Sequence, residues 1–159
     1  MDGRAPLAGA GCGDRSRVRL IVVAEGRIKD RQLRAVANDY LGRLTRYVRC
    51  DEIESKDATG LAKAIPEGAF VVALEVDGEQ LTSSELSLRI ERWGARGKGL
   101  VAFLIGGAEG IPGPLSARAD VRLSLSRLTF PHRLARVMLF EQLYRSMTLL
   151  RGEPYARED

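Results

Sequence analysis

The chain has 159 residues, 45% of them hydrophobic and 29% charged, with a formal net charge of +4. That length suits one domain with a buried core, and that composition excludes a disordered or collagen-like chain. Two cysteines, Cys12 and Cys50, and one histidine, His132, exclude a disulfide framework, a CxxC metal site and any catalytic triad not built on His132.

Residues 1–17 hold Gly, Ala and Arg but no continuous apolar stretch, so they are read as a flexible N-terminal extension rather than a secretory signal. Residues 18–159 are read as a single domain. No apolar run approaches the roughly 20 residues that cross a bilayer, so no membrane association is expected. The sparing use of cysteine fits a reducing compartment and hence a cytoplasmic location. Val18 to Ala24 is a β-branched run expected to form a buried strand. Leu33, Val36, Ala37, Tyr40, Leu41 and Leu44 then line one face of a helix. Val48 to Glu54 reads as a more polar strand near an edge, and Asp57 to Ile65 as a weak helix ended by Pro66 and Gly68.

Phe70 to Val76 (FVVALEV) is a central-strand signal, after which Asp77-Gly78 is expected to turn the chain. Thr82 and Glu85 have capping-box spacing, and Leu86, Ile90 and Trp93 mark the buried stripe of the helix that follows. Gly94 to Gly99 is expected to be a flexible connection, and Leu100 to Ile105 another buried strand. A short helix is placed near Pro114 to Ala119, then a strand over Val121 to Leu125 and a loop over Ser126 to Phe130. Pro131 suits the start of a long amphipathic helix that Gly152 can terminate. The whole reads as α/β, five strands alternating with helices in a mostly parallel sheet.

Gly106 to Gly110 directly follows a buried strand, where α/β proteins commonly bind ligands and where glycine lets the backbone approach closely. Read alone, the stretch is also an ordinary strand-to-helix turn. It is neither a dinucleotide fingerprint nor a P-loop, because Gly26 stands alone after the first strand and no GK[ST] occurs. The loop from Ser124 to Pro131 mixes hydroxyls with apolar residues ahead of a helix, which could hold the polar edge of a ligand or merely cap the helix. His132, Arg133 and Arg136 fall at the start of the last helix, where cations oppose the helix dipole. They suggest an anionic partner, a local pairing with Glu141, or a solvated basic face.

Three segments taken together resemble the ribosomal RNA large-subunit methyltransferase H family (RlmH), within the SPOUT class. They are Leu104 to Gly110 (LIGGAEG), Leu123 to His132 (LSLSRLTFPH) and Arg136 to Arg145 (RVMLFEQLYR), with a matching Gly152-Glu153-Pro154-Tyr155. The resemblance spans about Val18 to Tyr155. It implies a SPOUT-type α/β knot, that is, a mostly parallel five- to six-stranded sheet with helices on both faces and a C-terminal trefoil knot. It also implies a homodimer and S-adenosyl-L-methionine as cofactor, held by Leu74, Gly106, Leu125, Ser126, Arg127, Leu128, Thr129 and Phe130. The implied reaction is methylation of N3 of a pseudouridine in 23S ribosomal RNA, met in the assembled ribosome and without a metal. His132, Arg136, Tyr144 and Tyr155 are the candidates for the acceptor side, with different protomers free to supply different members. Arg133, Arg136 and Arg145 are candidate phosphate contacts.

The chain departs from the family pattern where Ala156 replaces the histidine that follows Tyr155, and where Ala108 replaces a common proline of the glycine loop. Two other functions fit the same fold: a ribosome- or RNA-binding protein without catalysis, and a knotted methyltransferase acting on tRNA.

Overall fold

The apolar runs of the sequence become the strands of one sheet in a computed structural model that describes residues 17–156. Most of the expected N-terminal extension therefore lies outside the described residues. In chain order the elements are β1 (Arg19–Glu25), α1 (Arg31–Leu44), β2 (Arg49–Ser55), α2 (Ala58–Lys63), β3 (Phe70–Gln80), α3 (Ser83–Arg96), β4 (Leu100–Ile105), α4 (Gly113–Arg118), β5 (Val121–Ser124) and α5 (His132–Leu150). A short 3-10 turn at Pro154–Ala156 follows.

The sheet is five-stranded in the order β2-β1-β4-β3-β5, and every pairing is parallel. A parallel sheet is covered on both faces, which is why β1 and β4 read as continuous rather than alternating apolar runs. One face carries Leu20, Val22 and Phe103 under α1, α3 and α5; the other carries Ile21, Val23 and Leu104 under Leu61 of α2 and Leu115 of α4. Connections toward the β2 edge run over the first face and those toward the β5 edge over the second. That alternation is what a single crossover hand requires.

Local chemistry sets the element ends. Asp30 caps α1, Asp57 caps α2, and Thr82 with Glu85 closes a complete capping box on α3. At the end of α5, Gly152 has φ 66°. Its N–H reaches Leu149 O at 3.1 Å while Glu153 N–H reaches Thr148 O at 2.9 Å, the paired bonds of a Schellman motif.

Two local expectations are overturned. The chain does not turn at Asp77-Gly78: β3 continues to Gln80, with its register against β5 shifting between Leu74 and Glu79. The shift is possible because a Cβ at Gly78 would lie 2.7 Å from the Arg122 carbonyl group, an approach only glycine permits. Nor is Gly94 part of a flexible connection. It is buried inside α3 with Val18 packed against it, at a spot where a Cβ would meet a methyl at 2.6 Å.

Candidate active site

The carboxyl ends of β3, β4 and β5 open into a cleft of about 610 Å³. Three backbone features shape it. The register shift in β3 bulges residues 75–78, so Leu74, Glu75, Val76 and Asp77 form one wall. After β4, the chain folds back on itself in a turn over Gly107 to Gly110, closed by Gly110 N–H to Gly107 O at 2.9 Å. Gly110 sits at φ 77°, and a Cβ on Gly106 would fall 2.3 Å from the Gly110 carbonyl carbon. Both positions therefore need glycine. Glu25, at the end of β1, accepts the Gly107 N–H at 3.2 Å and fixes the turn from below.

The third wall follows β5. Ser124 Oγ lies 2.8 Å from Val76 O and 2.9 Å from Ser126 O, while Ser126 Oγ accepts the Leu128 N–H at 3.0 Å. This hydroxyl-built turn presents Leu125, Ser126, Leu128, Thr129 and Phe130 to the cleft. Leu128 is 70% exposed, an apolar lip at the opening.

Pro131 precedes α5 and His132 closes the end of the cleft. Partial burial, then the charges of Arg133 and Arg136, hold its imidazole below the ordinary value, with Glu25 acting weakly the other way. His132 is therefore neutral near pH 7 and can accept a proton.

Seven of the eight residues expected at a cofactor line this one cleft; Arg127 instead borders a smaller hollow beside Val76, Asp77 and Gly78. Of the four acceptor-side candidates only His132 lines it. Arg136 is wholly buried, with Nη1 on Glu52 and Glu54 at 3.0 and 2.5 Å and Nη2 on Gly26 O at 2.9 Å. Its partners are thus on β2 rather than Glu141 of its own helix, and no face of it is open to a phosphate. Arg34 reaches the same two carboxylates at 2.6 and 3.0 Å. Partial burial alone would raise the Glu54 carboxyl, but hydrogen bonds from Arg136 and the Ile28 N–H, with the nearby arginine charges, hold it below the usual carboxylate range.

Tyr144 and Tyr155 stand in an aromatic group, their ring centroids 4.5 Å apart, with Tyr47 at 5.9 Å from Tyr144. Tyr155 donates to Glu141 at 3.1 Å, and burial followed by that carboxylate raises its phenol. Arg145 is ion-paired with the same Glu141. Neither tyrosine lines the cleft of its own chain. Glu25, Glu75 and Asp77 were not anticipated. Arg122 and Ser116 hold Glu75, Arg122 also binds Asp77 at 2.7 Å, and the only sequence signal is that Glu25 ends β1 while Glu75 and Asp77 close the apolar run of β3.

A cleft built at the carboxyl ends of parallel strands, with a glycine turn, a bulged wall and a hydroxyl loop, is a ligand site of the α/β type. The family described as "Predicted SPOUT methyltransferase" matches residues 17–156. The fold is similar to that of a probable methylase family protein from Haemophilus influenzae Rd KW20, with a TM-score of 0.57 at 8% identity, covering 89% of this chain and 71% of that one. Ribosomal RNA large subunit methyltransferase H of Sorangium cellulosum is 60% identical over 87% of this chain and 99% of its own length. The protein of the same name from Bifidobacterium animalis subsp. lactis is 38% identical over 84% and 96%. The chain belongs to the SPOUT methyltransferases and, within them, to the ribosomal RNA large subunit methyltransferase H family.

Proposed function

We propose that the protein transfers a methyl group from S-adenosyl-L-methionine to N3 of a pseudouridine in 23S ribosomal RNA, as a cytoplasmic homodimer acting on the assembled ribosome. The observation that carries this reading is the convergence of Leu74, Gly106 and the Leu125–Phe130 loop on one cleft that ends at a neutral histidine. The cleft fits a nucleoside. Gly106 leaves room for a close backbone approach, and Leu74, Leu125, Leu128 and Phe130 offer apolar walls for an adenine ring. When bound, the cofactor supplies a methyl group activated by its sulfonium. A trefoil knot formed by the segments that build the cleft belongs to the same reading.

His132 would receive the imide proton that N3 gives up on accepting the methyl group, a role suited to an imidazole that is uncharged near pH 7. Alignment of the ring nitrogen, methyl and sulfur does most of the remaining work. Tyr144 and Tyr155, remote from the cleft of their own chain, serve that of the partner in the dimer. Arg136 acts by holding the start of α5 rather than by touching RNA.

The test is to incubate the protein with radiolabelled S-adenosyl-L-methionine and ribosomes from cells lacking the modification, with naked rRNA and tRNA alongside. Label in 23S rRNA at a pseudouridine is the expected result. Label in tRNA alone removes the ribosomal target, and the absence of both label and cofactor binding leaves a non-catalytic RNA-binding protein.

A further inference from the structure

The cleft and its lip carry opposite charge. Glu75, Asp77 and Glu109 line the cleft, and among the described residues no lysine or arginine does. Cations lie instead on the β1–α1 segment that meets α5 next to His132. Arg27 and Lys29 are exposed in the connection from β1 to α1 and Arg31 is exposed at the first residue of α1, and Arg133 Nε donates to Arg27 O at 3.0 Å, so this connection touches the first turn of α5. It is pinned at two further points, by Arg136 on Gly26 O at 2.9 Å and by the Ile28 N–H on Glu54 at 3.2 Å.

None of these four cations has a carboxylate partner among the described residues, whereas Arg34, Arg89, Arg122, Arg136 and Arg145 each have one. The acid within the stretch, Asp30, is engaged in capping α1 through the Leu33 N–H at 2.9 Å. Unneutralised cations on a braced loop beside an acidic cleft make a local field that attracts a polyanion to the lip and repels it from the interior.

We propose that Arg27, Lys29, Arg31 and Arg133 form the landing surface for the sugar–phosphate backbone of the substrate RNA. The strand crosses the β1–α1 side of the cleft, and its acidic walls turn phosphates away while admitting a base. This inference rests on the RNA-methyltransferase reading and adds to it the route by which RNA approaches.

The experiment measures binding of large-subunit ribosomal RNA across a salt series for the wild-type chain, Arg27→Gln alone, and the combined Arg27→Gln, Lys29→Gln, Arg31→Gln variant. Arg133 is left intact to keep the loop in place. The triple variant is expected to lose about tenfold or more in affinity, and the slope of log K against log salt to become shallower by about 2, as loss of three phosphate contacts requires. The single variant loses part of this, and binding of radiolabelled S-adenosyl-L-methionine is unchanged in both. A matched variant at the opposite end of the sheet, Arg92→Gln, Lys98→Gln, Arg118→Gln, is expected to bind RNA as the wild type does. Equal affinity and slope for the loop variant and the wild type overturn the surface while leaving the function intact, as does an equal loss in the matched variant. Failure of the wild-type chain to bind or methylate ribosomal RNA removes the function and the surface together.

Discussion

His132 and Arg136 stand one turn apart on α5, yet burial acts on them in different ways. The imidazole is half-buried and stays uncharged to lower pH than an ordinary histidine, because desolvation and two neighbouring guanidinium groups both oppose the proton. It is the only histidine in the chain, so its NMR titration needs no assignment. The expected midpoint lies below the ordinary value of about 6.5 and moves up in Arg133→Gln; a midpoint at or above that value contradicts the electrostatics. The unfolded chain takes up this proton first, so stability is full above about pH 6.5 and falls as pH drops toward the folded midpoint. Arg136 is instead buried against Glu52 and Glu54, which both pair with its guanidinium. The Glu54 contribution is present above the unfolded carboxyl value and is lost as pH falls through the lower, folded one. Arg136→Ala strands two carboxylates with only Arg34 to offset them and should cost about 3–5 kcal/mol in urea unfolding. Adding Glu52→Gln and Glu54→Gln to it should restore part of that loss, and a cost below about 1 kcal/mol would show that the network holds nothing.

At the level of elements, legibility followed the range of the interaction. The runs FVVALEV and LVAFLI announced β3 and β4, and Thr82 with Glu85 announced the start of α3, because strand burial and capping act over a few residues. The continuation of β3 past Asp77-Gly78 was hidden, since its cause is the backbone of Arg122 on a neighbouring strand. Gly94 reads as part of a flexible connection for the same reason: Val18, which packs against it, is far away in sequence. The cleft loops were visible as a glycine turn and a hydroxyl-rich loop, but the burial of Arg136 was not. Its carboxylate partners are 84 and 82 residues away, and the sequence shows only a cation at an unfavourable helix end. Two glycines give a paired test. Gly78→Ala drives a Cβ into backbone and should lower the melting temperature markedly, while Gly42→Ala, within α1 and with nothing inside 4 Å, should stabilise by about 0.5–1 kcal/mol. The reverse order in calorimetry would mean that β5 yields at Arg122.

On the scale of the whole molecule, several acids and bases neutralise one another across element boundaries: α1 with β2, β3 with β5, α5 with β2. The net positive charge therefore matters less than where unmatched cations remain, and the β1–α1 loop is one such place beside the cleft. The same bracing has a consequence for how the protein comes into being. The contact between Gly26 and Arg136 joins positions 110 residues apart. Strands β1 to β4 leave the ribosome well before the residues that complete the cleft, and until α5 arrives Glu52 and Glu54 have only Arg34 between them. The complete cleft is absent from every nascent form lacking residues 125–132. A ligand that binds only the finished cleft can latch the last step of folding by mass action, but it can guide none of the earlier ones.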